Sequence, residues 1–244
     1  MDLLLLSNSR NHGREFLAHA LDEVDDFIGA NRRLTFVPYA LADHDAYTAI
    51  VAAALAPRGI TVVGVHTVAD PRQEVARAEV VFVGGGNSFR LLKTLYATGL
   101  LETIGDRVRA GALRYMGASA GTNMAAPTLR TTNDMPIVSP PSFETFGFVP
   151  FQINPHYLDP APASTHMGET REERIREFLE ENDVPVLGLR EGSWLRVSGS
   201  VARLGGDNGA LLFARNSEPA ELVPGEDVSP LLATTPRYDV TRSG

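Results

Sequence analysis

Short apolar runs alternate with amphipathic stretches along the first half of the chain. We expect strands at the apolar runs, over residues 3–7, 34–38, 60–65, 80–83 and 115–118. The stretches between them predict helices near 13–28, 46–56, 71–76, 89–96 and 101–110. This alternation predicts an α/β fold in which a mostly parallel sheet carries helices on both faces.

The pattern changes in the second half of the chain. A helix is predicted over 169–181, where Ile175, Phe178 and Leu179 form one apolar stripe. Runs at 194–197, 201–204 and 210–213, separated by glycines, predict short antiparallel strands. Pro, Ser, Thr and Glu are frequent after residue 214. We therefore expect a single α/β domain over 1–214, then an edge segment and a loosely ordered tail over 215–244.

Composition removes several classes of function. The formal charge of -8 repels polyanions, so we expect no nucleic-acid partner. The chain has no Cys, which excludes disulfides, thiolate metal sites and a Cys nucleophile. The apolar run at 3–6 is too short for a secretory signal, and no run approaches the ~18 residues of a membrane span. We expect a cytoplasmic protein that does not bind membranes.

Ser119 is the first candidate for chemistry. It lies in a Gly-x-Ser-x-Gly motif between a predicted strand and a predicted helix, which is the context of a nucleophile elbow. Small neighbours permit the tight turn, and the N–H of Ala120 is a candidate donor to an oxyanion. The motif alone is weak, because small-residue turns are common.

A second glycine cluster, at residues 84–86, follows the predicted strand 80–83. In a parallel sheet this cluster lies at the same edge as Ser119. Its glycines allow close backbone approach, so the N–H of Gly85 or Gly86 is a candidate second oxyanion donor. A simple strand-to-helix turn is the alternative. The run matches neither phosphate-binding fingerprint.

His156 and Glu191 complete the candidate chemistry. Each follows a predicted strand, and we expect Pro155 to end the strand before His156. Ser119, His156 and Glu191 would then all lie at carboxyl ends of strands, which suggests a triad. The order Ser–His–Glu differs from that of the α/β-hydrolase fold. None of the six histidines is paired at the i, i+4 spacing of a helical metal site, so we expect no metal.

Together these segments resemble the peptidase E (aspartyl dipeptidase) family, whose scaffold is similar to that of class I glutamine amidotransferases, which is flavodoxin-like. The resemblance covers about residues 1–214. It is carried by LLLLSNS at 3–9, VGGGN at 83–87, SAG at 119–121, TTNDMPIV at 131–138, QINPH at 152–156, GETR at 168–171 and EG at 191–192.

The resemblance implies a serine dipeptidase that acts on Asp-Xaa dipeptides without a cofactor. It implies Ser119 as the nucleophile and His156 as the general base. Either Glu191 or Asp134 would be the acidic partner, and Asp134 could instead hold the substrate's α-ammonium group. It also implies Arg171 and Asn87 as substrate-binding residues. The sequence leaves the oligomeric state open.

Two alternatives remain at this point. The chain could be a cyanophycinase-like exopeptidase that acts on aspartate-rich polymer, or a non-catalytic amidotransferase-like binding module. Two features depart from the family pattern: Arg190 stands where we expect Pro, and the tail is long. A guanidinium beside Glu191 could compete with His156 for that carboxylate.

Overall fold

The computed structural model describes residues 1–159 and 168–240. The α-helices in these ranges are α1 (Leu21–Ile28), α2 (His44–Leu55), α3 (Pro71–Arg77), α4 (Ser88–Thr98), α5 (Leu100–Arg109), α6 (Ala120–Asn123) and α7 (Arg171–Glu181). The strands are β1 (Asp2–Leu6), β2 (Arg33–Val37), β3 (Thr61–Gly64), β4 (Val80–Val83), β5 (Arg114–Ala118), β6 (Gln152–Tyr157), β7 (Val186–Arg190), β8 (Ser193–Ser198), β9 (Val201–Gly206), β10 (Ala210–Phe213) and β11 (Ala220–Leu222).

The first sheet has seven strands in the order β3-β2-β4-β5-β1-β8-β9. The five strands from β3 to β1 are parallel, and β8 and β9 are antiparallel. Leucines of β1 alternate between two cores: Leu3 and Leu5 face α3, α4 and α5, whereas Leu4 and Leu6 face α1 and α2. The predicted α/β fold, with helices on both faces of a mostly parallel sheet, is therefore confirmed.

A second sheet has four strands in the order β11-β10-β7-β6. Strands β6 and β7 are parallel, and the others are antiparallel. Helix α7 covers it through Ile175 and Leu179, which pack with Tyr157 and Phe213. The sequence predicted strands before His156, before Glu191 and over 210–213 but not β11, and it did not separate the strands into two sheets, because local apolar patterns do not specify strand partners.

The predicted helix over 13–28 is wrong in its first half. Helix α1 begins only at Leu21, and residues before it form turns. Leu17 has a φ of 60°, outside the helical region, and its N–H donates to the carbonyl of Ser9. The amphipathic pattern before residue 21 therefore belongs to a folded loop that lies beside the end of β1. No helix in the described ranges is both long and apolar enough to cross a membrane.

The segment after residue 214 contains more regular structure than the sequence predicts. Strand β11 forms the edge of the second sheet, and a short 3-10 helix follows at Ser229–Ala233. Further on, Arg237 pairs with Asp183, and the Tyr238 hydroxyl accepts a hydrogen bond from Gln152. The domain boundary at residue 214 stays a prediction, and the last residues of the chain, 241–244, lie outside the described ranges.

Burial of β1 on both faces yields a first prediction. Leu4→Ala removes a fully buried side chain, so we expect a loss of about 2–5 kcal/mol in the free energy of unfolding. Val201→Ala, in edge strand β9 where the side chain is 45% exposed, is expected to cost under about 0.5 kcal/mol. Urea denaturation of both variants is the measurement. Equal losses would contradict this description of the core.

Candidate active site

Ser119 lies in a sharp turn between β5 and α6, with φ 53° and ψ -110°. This conformation is strained for a residue other than glycine, at an order of 1–3 kcal/mol. The turn is held because the Ser119 N–H donates to the carbonyl of Leu6 at 3.1 Å. A Cβ at Gly121 would overlap the carbonyl of Val83, so glycine is required there. The predicted strand–turn–helix context of Ser119 is therefore confirmed.

His156 lies within β6, not after it. The strand continues through Pro155 to Tyr157, so the prediction that Pro155 ends it is wrong. The pairing of β6 with β7 shifts between Pro155 and Tyr157, and His156 at this irregularity has a φ of 55°. Bulges of this kind redirect a side chain and are frequent beside active sites. Here the bulge brings the imidazole to Ser119.

The structure brings Ser119, His156 and Glu191 into one hydrogen-bonded line. His156 Nε2 lies 2.9 Å from Ser119 Oγ, and Nδ1 lies 2.6 Å from Glu191 Oε1. Because an ionised carboxylate only accepts, Nδ1 carries the proton and Nε2 is left to accept from the serine hydroxyl. The side chains of His156 and Glu191 are 35% and 44% exposed, so a small molecule can reach them. This arrangement suits nucleophilic acyl transfer.

Asp134 occupies a different position. Its Oδ2 accepts a hydrogen bond of 2.7 Å from the N–H of Ser88, the first residue of α4. A carboxylate is favourable at a helix N-terminus, where the N–H groups have no partner within the helix. The carboxylate hydrogen-bonded to His156 is that of Glu191, so the geometry favours Glu191 over Asp134, and the assignment of the acidic partner stays a prediction.

The side chain of Asn87 is also engaged within the protein. Its Oδ1 accepts from the N–H of Arg90 at 3.0 Å, and its Nδ2 donates to the carbonyl of Met135 at 2.9 Å. Asn87 is the N-cap residue of α4. The predicted contact between this side chain and a substrate is therefore disfavoured, because both of its polar ends are used in capping and loop anchoring.

The glycine cluster lies directly against Ser119. A Cβ at Gly85 would lie 3.0 Å from the Cβ of Ser119. The N–H of Gly85, however, donates to the Tyr47 hydroxyl at 2.8 Å, so it is not free to bind an oxyanion. Gly86 is the better candidate, since its N–H has no partner among the described residues. The N–H of Ala120 begins α6 and stays the other candidate donor.

Arg171 is the first residue of α7, and its guanidinium approaches the active site. Its Nη1 lies 3.4 Å from the carbonyl of Pro155, the neighbour of His156. Burial lowers the pKa of Arg171, while the charges of Glu191 and Asp134 raise it. The nearby Glu169 pairs with Arg174, and Glu173 closes the capping box with Thr170. Within the described residues, Arg171 thus has no carboxylate at ion-pair distance.

Comparison with known proteins identifies the family. Residues 3–205 match the model of peptidase family S51. This chain belongs to peptidase family S51. It is 68% identical over 244 residues to a peptidase E of Streptomyces coelicolor, with full coverage of both chains. It is 52% identical over 233 residues to a probable alpha-aspartyl dipeptidase of Drosophila melanogaster, covering 95% of this chain and 97% of the relative.

A solved structure supports the fold of this S51 peptidase family member. A putative peptidase E protein from Listeria monocytogenes superposes with a TM-score of 0.64 at 21% identity, covering 85% of this chain and 98% of the other. The family membership confirms the resemblance that the sequence motifs indicated.

Arg190 does not compete for Glu191 in this S51 family member. Its guanidinium forms two-pronged ion pairs with Asp159, at 2.7 and 2.9 Å, and with Glu221 of β11. These hydrogen bonds to carboxylates raise the pKa of Arg190. The cation beside Glu191 is therefore held by two other carboxylates.

Tyr47 is a site residue that the sequence did not reveal. Burial raises its pKa to about 12, so its hydroxyl stays protonated while the oxygen accepts from Gly85. It lies on the buried face of α2, 5% exposed. In the sequence it is one more apolar-face aromatic residue, and nothing there distinguishes it from a core residue.

The site geometry predicts how two acidic residues differ. Glu191→Gln keeps the shape but removes the charge that fixes the His156 proton, so we expect modification of Ser119 by a fluorophosphonate to slow by about 10²–10⁴-fold. Asp134→Asn keeps an acceptor for Ser88 and is expected to slow it by less than about tenfold. Mass spectrometry of the labelled peptide gives both rates. The reverse pattern would assign the partner role to Asp134.

Proposed function

We propose that this protein is a serine dipeptidase that hydrolyses dipeptides with an N-terminal aspartate. The observation that carries this proposal is the line Ser119–His156–Glu191 in a member of peptidase family S51. The relatives named peptidase E and probable alpha-aspartyl dipeptidase, which align along nearly the whole chain, support the substrate class.

Hydrolysis proceeds in two halves. Ser119 Oγ attacks the peptide carbonyl while His156 Nε2 takes its proton, which gives a tetrahedral intermediate. His156 then gives this proton to the leaving amine, the C–N bond breaks, and aspartate remains as an ester on Ser119. A water attacks the ester as His156 takes its proton, and His156 returns a proton to Ser119 Oγ as aspartate leaves.

During these steps a positive charge develops on the imidazole and a negative charge on the oxyanion. The protein stabilises each of them with a group that is already in place. Glu191, at 2.6 Å from Nδ1, stabilises the imidazolium that forms when His156 takes a proton. The N–H groups of Gly86 and Ala120 are proposed to donate to the oxyanion. Loss of one such donor typically reduces kcat by about 10²–10³-fold.

Arg171 is proposed to bind the aspartyl side-chain carboxylate. It is a half-buried cation with no ion-pair partner among the described residues, and it lies beside the carbonyl of Pro155 next to His156. A guanidinium binds a carboxylate through two parallel hydrogen bonds. Asp134, whose charge acts on Arg171, is proposed to attract the substrate's α-ammonium group.

Hydrolysis of Asp-Leu tests the nucleophile and base. Ser119→Ala and His156→Ala are each expected to lower kcat by at least about 10³-fold, because each removes a group needed in the same step. The double variant is expected to be scarcely slower than either single variant. Circular dichroism verifies folding. Wild-type turnover by Ser119→Ala, or multiplicative losses in the double variant, would contradict the mechanism.

Specificity is tested by the ratio of kcat/KM for Asp-Leu to that for Asn-Leu. An uncharged first residue leaves Arg171 unpaired in a partly desolvated site, which costs about 2–5 kcal/mol, or roughly thirty-fold to several thousand-fold. Arg171→Ala is expected to remove most of this preference, and Arg171→Lys to keep part of it.

Arg174→Ala is the matched control for this measurement. Arg174 lies on the same helix but is 56% exposed and paired with Glu169, so its loss is expected to leave the ratio unchanged. An unchanged ratio in Arg171→Ala would show that a different residue recognises the aspartate.

A further inference from the structure

Leu6, the last residue of β1, and the two residues that follow it each accept a hydrogen bond from the active site. The carbonyl of Leu6 accepts from the N–H of Ser119 at 3.1 Å. The hydroxyl of Ser7 accepts from the N–H of His156 at 2.9 Å. The side-chain carbonyl of Asn8 accepts from the N–H of Gly192, next to Glu191, at 2.8 Å. One short segment thus holds the backbone of Ser119, of His156 and of the residue next to Glu191.

The Ser7 hydroxyl lies between β6 and β7 of the second sheet. It accepts from His156 of β6 and donates to the carbonyl of Leu189 of β7 at 2.8 Å. These groups flank the irregularity in the pairing of the two strands, where a regular ladder would have joined backbone to backbone. Ser7 is completely buried, so no surface water replaces its hydroxyl. The hydroxyl therefore supplies the hydrogen bonds that the bulge removes.

Ser7 also belongs to the first sheet. It follows β1 directly, and its N–H donates to the carbonyl of Ser193 in β8 at 2.9 Å. Its backbone is thus fixed to one sheet, while its side chain is bonded to the other. Since Ser119 lies at the end of β5 in the first sheet and His156 lies in the second, Ser7 lies where the two halves of the site join.

Asn8 acts in a corresponding way on Glu191. Besides its bond to Gly192, its Nδ2 donates to the carbonyl of Arg10 at 2.9 Å and to Asn11 Oδ1 at 2.6 Å. These bonds fix the orientation of its amide. Asn208 Nδ2 donates to the carbonyl of Glu191 at 2.7 Å. The backbone that carries the Glu191 carboxylate is therefore held on both sides.

We propose that Ser7 and Asn8 are positioning residues: Ser7 fixes the backbone of His156, and Asn8 fixes that of Glu191. His156 has a positive φ, which persists only where surrounding contacts determine it. Without the Ser7 hydroxyl, the His156 N–H loses its acceptor and the ring is free to move away from Ser119. The proposal rests on the proposed function only for the roles of Ser119, His156 and Glu191.

Ser7→Ala is the direct test, with Asp-Leu as substrate. We expect kcat to fall by about 10- to 100-fold, since misplacement of a catalytic group by about 1 Å costs this much. We expect KM to change by less than about threefold, because Ser7 is buried behind the site. Ser7→Thr, which keeps the hydroxyl, is expected to recover part of kcat.

Thr35→Val is the matched control. Thr35 lies in β2 of the first sheet, and its buried hydroxyl donates to the carboxylate of Glu74 at 2.9 Å, so this change also removes a buried hydroxyl. We expect a similar loss of stability, with kcat within about twofold of wild type. Wild-type kcat in Ser7→Ala, or an equal loss of kcat in Thr35→Val, would overturn the proposal.

A second readout does not depend on turnover. In ¹⁵N-histidine NMR spectra, the ring signals of His156 are assigned as those that are absent from the His156→Ala variant. We expect Ser7→Ala to shift both of these signals. We expect Thr35→Val to leave them unchanged. Unshifted signals in Ser7→Ala would overturn the proposal. If the wild type does not cleave Asp-Leu, the proposed function fails while these signals still decide the positioning role.

Asn8→Ala provides an independent variant if Ser7→Ala does not fold. It is expected to lower kcat by about tenfold or more, and to cause little further loss in a Glu191→Gln background, because the two changes act on the same group. Losses that multiply in the double variant would indicate a general effect on folding and would overturn the positioning role of Asn8.

Discussion

The hydrogen bond of 2.9 Å between Ser119 and His156 joins side chains from two different sheets. Such a bond fails if its partners separate by much more than half an ångström, so the two sheets must be held at a fixed distance. The end of β1 meets this requirement, because Ser7 is bonded to strands of both sheets and is buried. The geometry of the site therefore depends on a structural joint behind it.

Strain and its compensation occur together in this site. Ser119 and His156 both have positive φ angles, which are uncommon for residues with a side chain. The N–H of Ser119 donates to Leu6, the last residue of β1, and the N–H of His156 donates to Ser7, which follows it. The first sheet has one apolar core on each face of β1, and it supplies the rigid support that such conformations need.

Much of the fold and part of the site could be predicted from the sequence. The apolar runs, and the glycines that separate them from the amphipathic stretches, indicated the α/β class. The position of Ser119 between a strand and a helix follows from its small neighbours. The division into two sheets could not be predicted, because pairing between distant strands leaves no local pattern. The bulge at His156 could not be predicted either, because proline usually ends a strand. Here the strand continues, and the Ser7 hydroxyl supplies the hydrogen bonds that the irregular pairing of β6 and β7 lacks. The sequence indicated Gly85 as an oxyanion donor because it does not reveal that the N–H of Gly85 already has a partner. That partner, the hydroxyl of Tyr47, lies 38 residues earlier in the chain.

Arg190 links the C-terminal region to the chemistry of the site. Glu221 holds one side of its guanidinium, and Asp159 holds the other. A shortened form of the chain that lacks β11 would leave Arg190 with half of its counter-charge, one residue away from Glu191. The guanidinium would keep its ion pair with Asp159 and its hydrogen bond to the carbonyl of Asn208, but it would carry more uncompensated positive charge beside the carboxylate that pairs with His156. Truncation or modification of the chain at this end therefore changes the electrostatics of the active site. The segment concerned lies after residue 214, where the sequence shows little periodicity.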